Sequence, residues 1–262
     1  MCLRALPFFL GALLLSGSRP IAHSAPSVAI AAASDLIFCL EPLHAEFRRQ
    51  EPAVALRVST GSSGNFFAQI RHGAPYDVFL SADVRYPREL ITAHSADASS
   101  LTIYGLGRIV LWTRHPGLDP TLTKAGVLDA RIRRFALAQP THAPYGRAAR
   151  EALEHLGAWS DMQDRLVLGE NIAQTAQFIE TGSADAGIVA LSLVLAPRMQ
   201  GLGRWIEIPA DWHAPLEQAA VLTTRGARNP AATRYMEFLR SPPARTIFER
   251  HGFRLPPTPL SN

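Results

Sequence analysis

The chain has 262 residues, of which 47 % are hydrophobic and 18 % charged, so it is long enough for one large or two modest folded units and too apolar for a mainly disordered protein. The formal charge of +4 is small and spread along the sequence. No run of Lys and Arg is interleaved with aromatic residues, which argues against a nucleic-acid partner.

The N-terminus carries the first specific signal. Arg4 precedes an uncharged apolar run over residues 5–15, which Ser16, Gly17 and Ser18 end before the small residues Ala22, Ser24 and Ala25. A positive start, a short apolar centre and a small-residue exit predict a secretory signal peptide over residues 1–25, cleaved after Ser24 or Ala25. The run is too short to cross about 30 Å of hydrocarbon. Cleavage removes Arg4 and Arg19 and no acid, lowering the formal charge from +4 to +2. It also removes Cys2 and leaves Cys39, whose apolar neighbours predict a buried, inert thiol. The mature protein is expected to be exported, soluble and periplasmic.

From there short β-type runs alternate with helical ones. Residues 28–33 read as a buried strand, and Ser34 opens a helical pattern with Leu36, Leu40, Leu43 and Phe47 on one face. Residues 55–59 form the next strand, followed by Gly61-Ser62-Ser63-Gly64 and a helix over 65–71. A strand over 76–81 and a helix over 86–93 follow. Beyond residue 103 the pattern resumes, with strands over 108–113, 135–138, 166–168, 187–190 and 219–224. Helices are predicted over 147–156, 172–180, 191–196 and 230–240, and the proline-rich tail after Leu255 is expected to be loose. Such alternation implies an α/β protein whose mainly parallel sheets are flanked by helices. The break near residues 103–108 suggests two lobes, with residues 26–105 and 223–262 in the first and 106–222 in the second. Two strands would then cross between lobes as a hinge, with the ligand in the cleft outside the strand ends.

Enzymatic signatures are missing from the sequence. There is no G-x-S-x-G, no phosphate loop and no G-x-G-x-x-G. The nine histidines include no H-x-x-x-H pair, and Cys39 has no C-x-x-C partner, so neither a catalytic residue nor a metal site is assigned and no cofactor is expected. What stands out instead is a set of strand-to-helix loops rich in small and hydroxyl residues. Ala33-Ser34-Asp35 and Gly61-Ser62-Ser63-Gly64 follow the first two strands. The loop around Pro144-Tyr145-Gly146 and the loop Gly169-Glu170-Asn171-Ile172 follow two later ones. Helix N-termini offer unpaired N–H groups and the positive end of the helix dipole, which suits an anion. Asp35 would repel that anion and is read as a helix cap turned away from the cleft.

These stretches, with residues 73–83, Gly187-Ile188-Val189 and residues 241–253, resemble the periplasmic molybdate-binding proteins of ABC uptake systems over about residues 28–255. The resemblance implies the two-lobed type II periplasmic binding fold. It also implies capture of molybdate or tungstate by neutral donors and delivery to ABC permease subunits in the membrane. A monomer is expected. Carried over by position, Ser34 and Ser63 would bond the oxyanion from the first lobe, with Ser62 beside them. Tyr145 and Ile172 would offer backbone N–H groups from the second lobe, with Asn171 as a further donor. A tetrahedral dianion accepts and never donates, so every group facing it should be a donor. One position departs from the pattern: several relatives carry a tyrosine after Gly-Ile-Val, where this chain has Ala190. Another oxyanion, such as sulfate or phosphate, and an enzyme on the same scaffold are the alternative readings.

Overall fold

In a computed structural model, which describes residues 25–255, the first strand β1 (Ser27–Ala33) is a charge-free run with five of its seven residues buried. Such a run suits a strand covered on both faces. A 3₁₀ turn (Ser34–Leu36) follows, then α1 (Leu40–Gln50), which buries Leu40, Leu43, His44 and Phe47 along one face. Next come β2 (Ala55–Gly61), α2 (Ser63–Arg71), β3 (Val78–Ser81), α3 (Arg85–Thr92) and β4 (Thr102–Gly107). The middle of the chain forms β5 (Ile109–Thr113), the single turn α4 (Lys124–Val127), β6 (Phe135–Ala138), α5 (Pro144–His155) and the short α6 (Trp159–Met162). It continues through β7 (Leu166–Gly169), α7 (Ile172–Glu180), β8 (Ala186–Ala190), α8 (Leu191–Val194) and β9 (Arg204–Glu207). The chain then returns through β10 (Leu216–Leu222) to α9 (Pro230–Leu239) and α10 (Pro242–Arg250).

Two five-stranded sheets result, ordered β2-β1-β3-β10-β4 and β7-β6-β8-β5-β9. Their helices make this the expected two-lobed α/β architecture. Each sheet is mixed. In the first, β1 runs parallel to β2 and β3, while β10 is antiparallel to β3 and β4. In the second, β6 runs parallel to β7 and β8, while β5 is antiparallel to β8 and β9. The antiparallel half of each sheet has one cause: its strands lead into or out of the other lobe and need no helical crossover.

The chain crosses between sheets at Arg108 and again over residues 208–215. Residues 216–222, assigned to the second lobe from sequence, pair in the first sheet, so the return falls earlier than residue 223. At the crossings Arg108 Nε donates to Glu207 Oε1 at 2.6 Å, with Arg254 3.6 Å from the same carboxylate. The strands β4 and β9 are absent from the sequence reading. Two glycines dilute β4, and β9 is an edge strand that leaves Trp205 and Ile206 exposed. The expected signal peptide up to Ser24 and the tail after Leu255 lie outside the described residues.

Helix starts are decided locally. Pro144 occupies the first position of α5, where its missing N–H costs nothing, so the helix begins three residues before the expected Arg147. Gly146 lets that first turn sit on the end of β6: a Cβ there would lie 2.0 Å from the Ala138 carbonyl oxygen. Gly146→Ala is therefore expected to destabilise the fold by about 1–3 kcal/mol through overpacking, despite alanine's better helix propensity. A lower midpoint in urea unfolding checks this.

Candidate functional site

Four strand ends deliver four helix starts to one place between the sheets. In the first lobe β1 ends at Ala33 and turns tightly at Ser34, while β2 ends at Gly61 and Ser62 caps α2, its Oγ accepting from Asn65 N–H at 3.3 Å. In the second, β6 leads into Pro144 and Tyr145, and β7 into Asn171 and Ile172. Ser34, Ser62, Ser63, Tyr145 and Ile172 line one small cavity together with Asp35, Gly61, Ala82, Ala143 and Pro144. Asn171, the sixth residue expected there, lines a separate open groove instead. Its Oδ1 accepts from Ala173 N–H and Gln174 N–H, both at 3.1 Å, so its side chain is committed to capping α7.

The polarity of the lining follows from its hydrogen bonds. Ser63 Oγ accepts from Ala82 N–H at 2.9 Å, and Ser34 Oγ accepts from Ala173 N–H at 3.3 Å. A hydroxyl that has accepted still has its own hydrogen to give. Tyr145 and Ile172 lie in the first turns of α5 and α7, ahead of the amides that bond within each helix. Their N–H groups and the helix dipoles make the second-lobe wall a donor surface. Ser62 is less available, because its Oγ lies 3.0 Å from His142 Nδ1. No Lys or Arg lines the cavity.

The lobes are closed on each other around this point. Gly64 N–H donates to the His142 carbonyl at 3.0 Å, and Asn65 Nδ2 donates to Glu170 Oε1 at 3.0 Å. Arg147 of α5 pairs with the Asp83 carboxylate, and Ser192 Oγ donates to the Asp35 carbonyl at 2.7 Å. The two cores also meet, since Ala33 and Ala82 pack with the second-lobe cluster around Tyr145 and Ile172.

Asp35 corrects the sequence reading. It makes no cap; it lines the cavity and is 1 % exposed. Its Oδ2 accepts from the Tyr145 hydroxyl at 2.9 Å. That hydroxyl accepts in turn from Gln218 Nε2 at 3.2 Å, and Tyr104 donates to Gln218 Oε1 at 3.2 Å. This buried line runs from the cleft to β10 and β4, the strands beside the crossings. Burial pushes the Asp35 carboxyl up to about 7, against the lowering effect of the Tyr145 hydrogen bond. The sequence signal was ambiguous because an acid in a first helical turn reads equally well as a dipole partner. Cys39 is buried as expected, and burial pushes its thiol up.

The family profile described as bacterial extracellular solute-binding protein matches residues 28–254. The chain belongs to that family. The molybdate-binding protein ModA of Azotobacter vinelandii is 34 % identical over 242 residues, covering 92 % of this chain and 94 % of its own. The ModA of Rhodobacter capsulatus is 38 % identical over 193 residues, covering 74 % of this chain and 75 % of its own. The solved Azotobacter vinelandii periplasmic molybdate-binding protein superposes with a TM-score of 0.82 at 33 % identity, covering 87 % of this chain and 99 % of that one.

Within this solute-binding family member, Ala190 is fully buried at the end of β8 and is not part of the cavity wall. Two residues on, Ser192 supplies the lobe-to-lobe bond to Asp35. Gly64 is a tight point of closure: a Cβ there would lie 2.5 Å from the His142 carbonyl oxygen, across the lobes. The nearest atoms that an alanine Cβ at position 64 would meet all belong to His142 of the other lobe, while Gly64→Ala favours α2 by about 1 kcal/mol of helix propensity. The variant is expected to stay apart, with a larger radius of gyration in small-angle scattering and no fall in unfolding midpoint.

Proposed function

We propose that this chain captures molybdate in the cleft between its lobes and delivers it to the permease of an ABC transporter, acting as a soluble monomer in the periplasm. The observation that carries the reading is the cavity wall itself. Ser34, Ser63 and the N–H groups of Tyr145 and Ile172 present neutral donors from both lobes to one small space. A fully ionised tetrahedral anion, which only accepts, matches such a wall. The relatives named as molybdate-binding proteins support this choice of oxyanion. Tungstate has nearly the same size and is expected to bind as well. In this reading the first lobe comprises residues 26–107 and 216–255, the second residues 109–207, and the crossings act as the hinge.

No helix among the described residues is long and apolar enough to cross a membrane, in keeping with a protein that meets its permease from outside the bilayer. The similarity to the sulfate-binding protein SubI of Mycobacterium tuberculosis, at 15 % identity and a TM-score of 0.73, concerns the fold alone.

One contact favours a second reading, a hydrolase: Ser62 Oγ and His142 Nδ1 stand 3.0 Å apart, like a nucleophile and its base. Two features weaken it. Ser62 belongs to one lobe and His142 to the other, so opening separates them, and no carboxylate bonds the far ring nitrogen of His142 among the described residues. A chromogenic ester series is expected to show no turnover above buffer; saturable turnover lost in Ser62→Ala would favour the hydrolase.

Calorimetric titration with molybdate, tungstate, sulfate and phosphate tests the main reading. Heat is expected from the first two alone. Ser63→Ala should weaken molybdate binding by about 1–3 kcal/mol, since one buried donor to a charged acceptor is lost. Unchanged affinity in that variant would place the anion elsewhere.

A further inference from the structure

The donor wall contains one group that does not fit it. Asp35 lines the same cavity as Ser34, Ser63 and Tyr145, and its two carboxyl oxygens differ. Oδ2 accepts from the Tyr145 hydroxyl, whereas Oδ1 is buried with no partner in hydrogen-bond geometry among the described residues. A buried, unpartnered carboxylate oxygen is costly in itself and more so beside a dianion. Both costs vanish if one proton sits between Oδ1 and the anion.

We infer that Asp35 is a further binding residue of the cleft, which holds its oxyanion together with one proton shared between Asp35 Oδ1 and an anion oxygen. This inference rests on the proposed function and adds to it the protonation state of the complex. No heavy-atom bond changes: the proton comes either from the carboxyl or from water, and on release of the anion it returns to the same source.

The surroundings decide which. The 3₁₀ turn that carries Asp35 packs against α7 and α8. The ionisable groups facing it are Tyr145 from α5, Tyr104 from β4 and Cys39 beyond its own turn, and none of them carries positive charge. Ile172 and Ser192 supply the remaining faces from α7 and α8 and do not titrate. His142 is engaged with Ser62, and Arg147 at the rim is neutralised by Asp83. With no cation to hold the charge, burial pushes the carboxyl up to about 7. Below that pH the free protein already carries the proton, and anion binding exchanges none with solvent. Above it the proton must be taken from water, so affinity falls by up to about tenfold per pH unit.

The experiment is calorimetric titration of the mature protein with sodium molybdate from pH 5.5 to 9, in buffers of different ionisation enthalpy, for the wild type and for Asp35→Asn. Asparagine keeps an acceptor for Tyr145 and offers a permanent N–H donor in place of the shared proton. The wild type is expected to lose affinity above about pH 7 while taking up close to one proton per anion. Asp35→Asn is expected to show a flat profile and no uptake. Tyr145→Phe, which removes a hydrogen bond that lowers the Asp35 pKa, should move the wild-type break to higher pH. A flat wild-type profile with buffer-independent heat overturns the inference and leaves molybdate capture standing. Equal slopes in the wild type and Asp35→Asn also overturn it, because the proton then belongs to another group. No molybdate heat from either protein at any pH overturns the inference and the proposed function together.

Discussion

Everything in this molecule depends on bringing unsatisfied hydrogen-bond donors from two separately built lobes into one dry space. A helix N-terminus in water costs little, because solvent bonds the free amides. The same amides enclosed between two lobes need an acceptor, and the cavity wall brings the helix starts at Ser34, Ser63, Tyr145 and Ile172 together. The two sheets serve this end. Each ends its parallel strands β1, β2, β6 and β7 at the cleft, so that four helix starts face one another. The antiparallel strands β4, β5, β9 and β10 link the lobes.

Neutral donors have an electrostatic logic. An arginine or lysine in the wall would attract the anion strongly, but its charge would have to be desolvated on every closure. Oriented amides and hydroxyls carry fixed dipoles that need no counter-ion when the cleft is open. The cavity lining holds no Lys or Arg, and ion pairs such as Arg147–Asp83 at the rim and Arg108–Glu207 at the crossing lie outside it. Asp35 is the exception, and its buried link through Tyr145 and Gln218 to Tyr104 joins the cleft to the strands beside the crossings.

Much of this was legible in the sequence where local and global signals agreed. The strand Phe135–Ala138 and the helix Ile172–Glu180 fall at their expected bounds, because an apolar run and a helical period leave no competing choice. The serine and glycine loops after β1 and β2 announced a donor surface in the same way. Elements stabilised mainly by long-range pairing were not legible. The strand Thr102–Gly107 includes two glycines and is held by β10, more than a hundred residues away. The Asp35 contact with Tyr145 spans 110 residues and two lobes. Asn171 was placed less well for a related reason: its side-chain oxygen caps α7, and the residue lines a separate groove beside the cavity.

The direct bonds between lobes bear on timing. Gly64 to His142, Asn65 to Glu170 and Ser192 to Asp35 join the two halves without any anion between them. Such contacts hold part of the population shut at all times, and a shut cleft admits nothing, so the effective association rate scales with the fraction that gapes. The same contacts lengthen the residence of an anion once inside. A collector built this way trades speed of encounter for retention, and its cargo leaves no faster than the halves part.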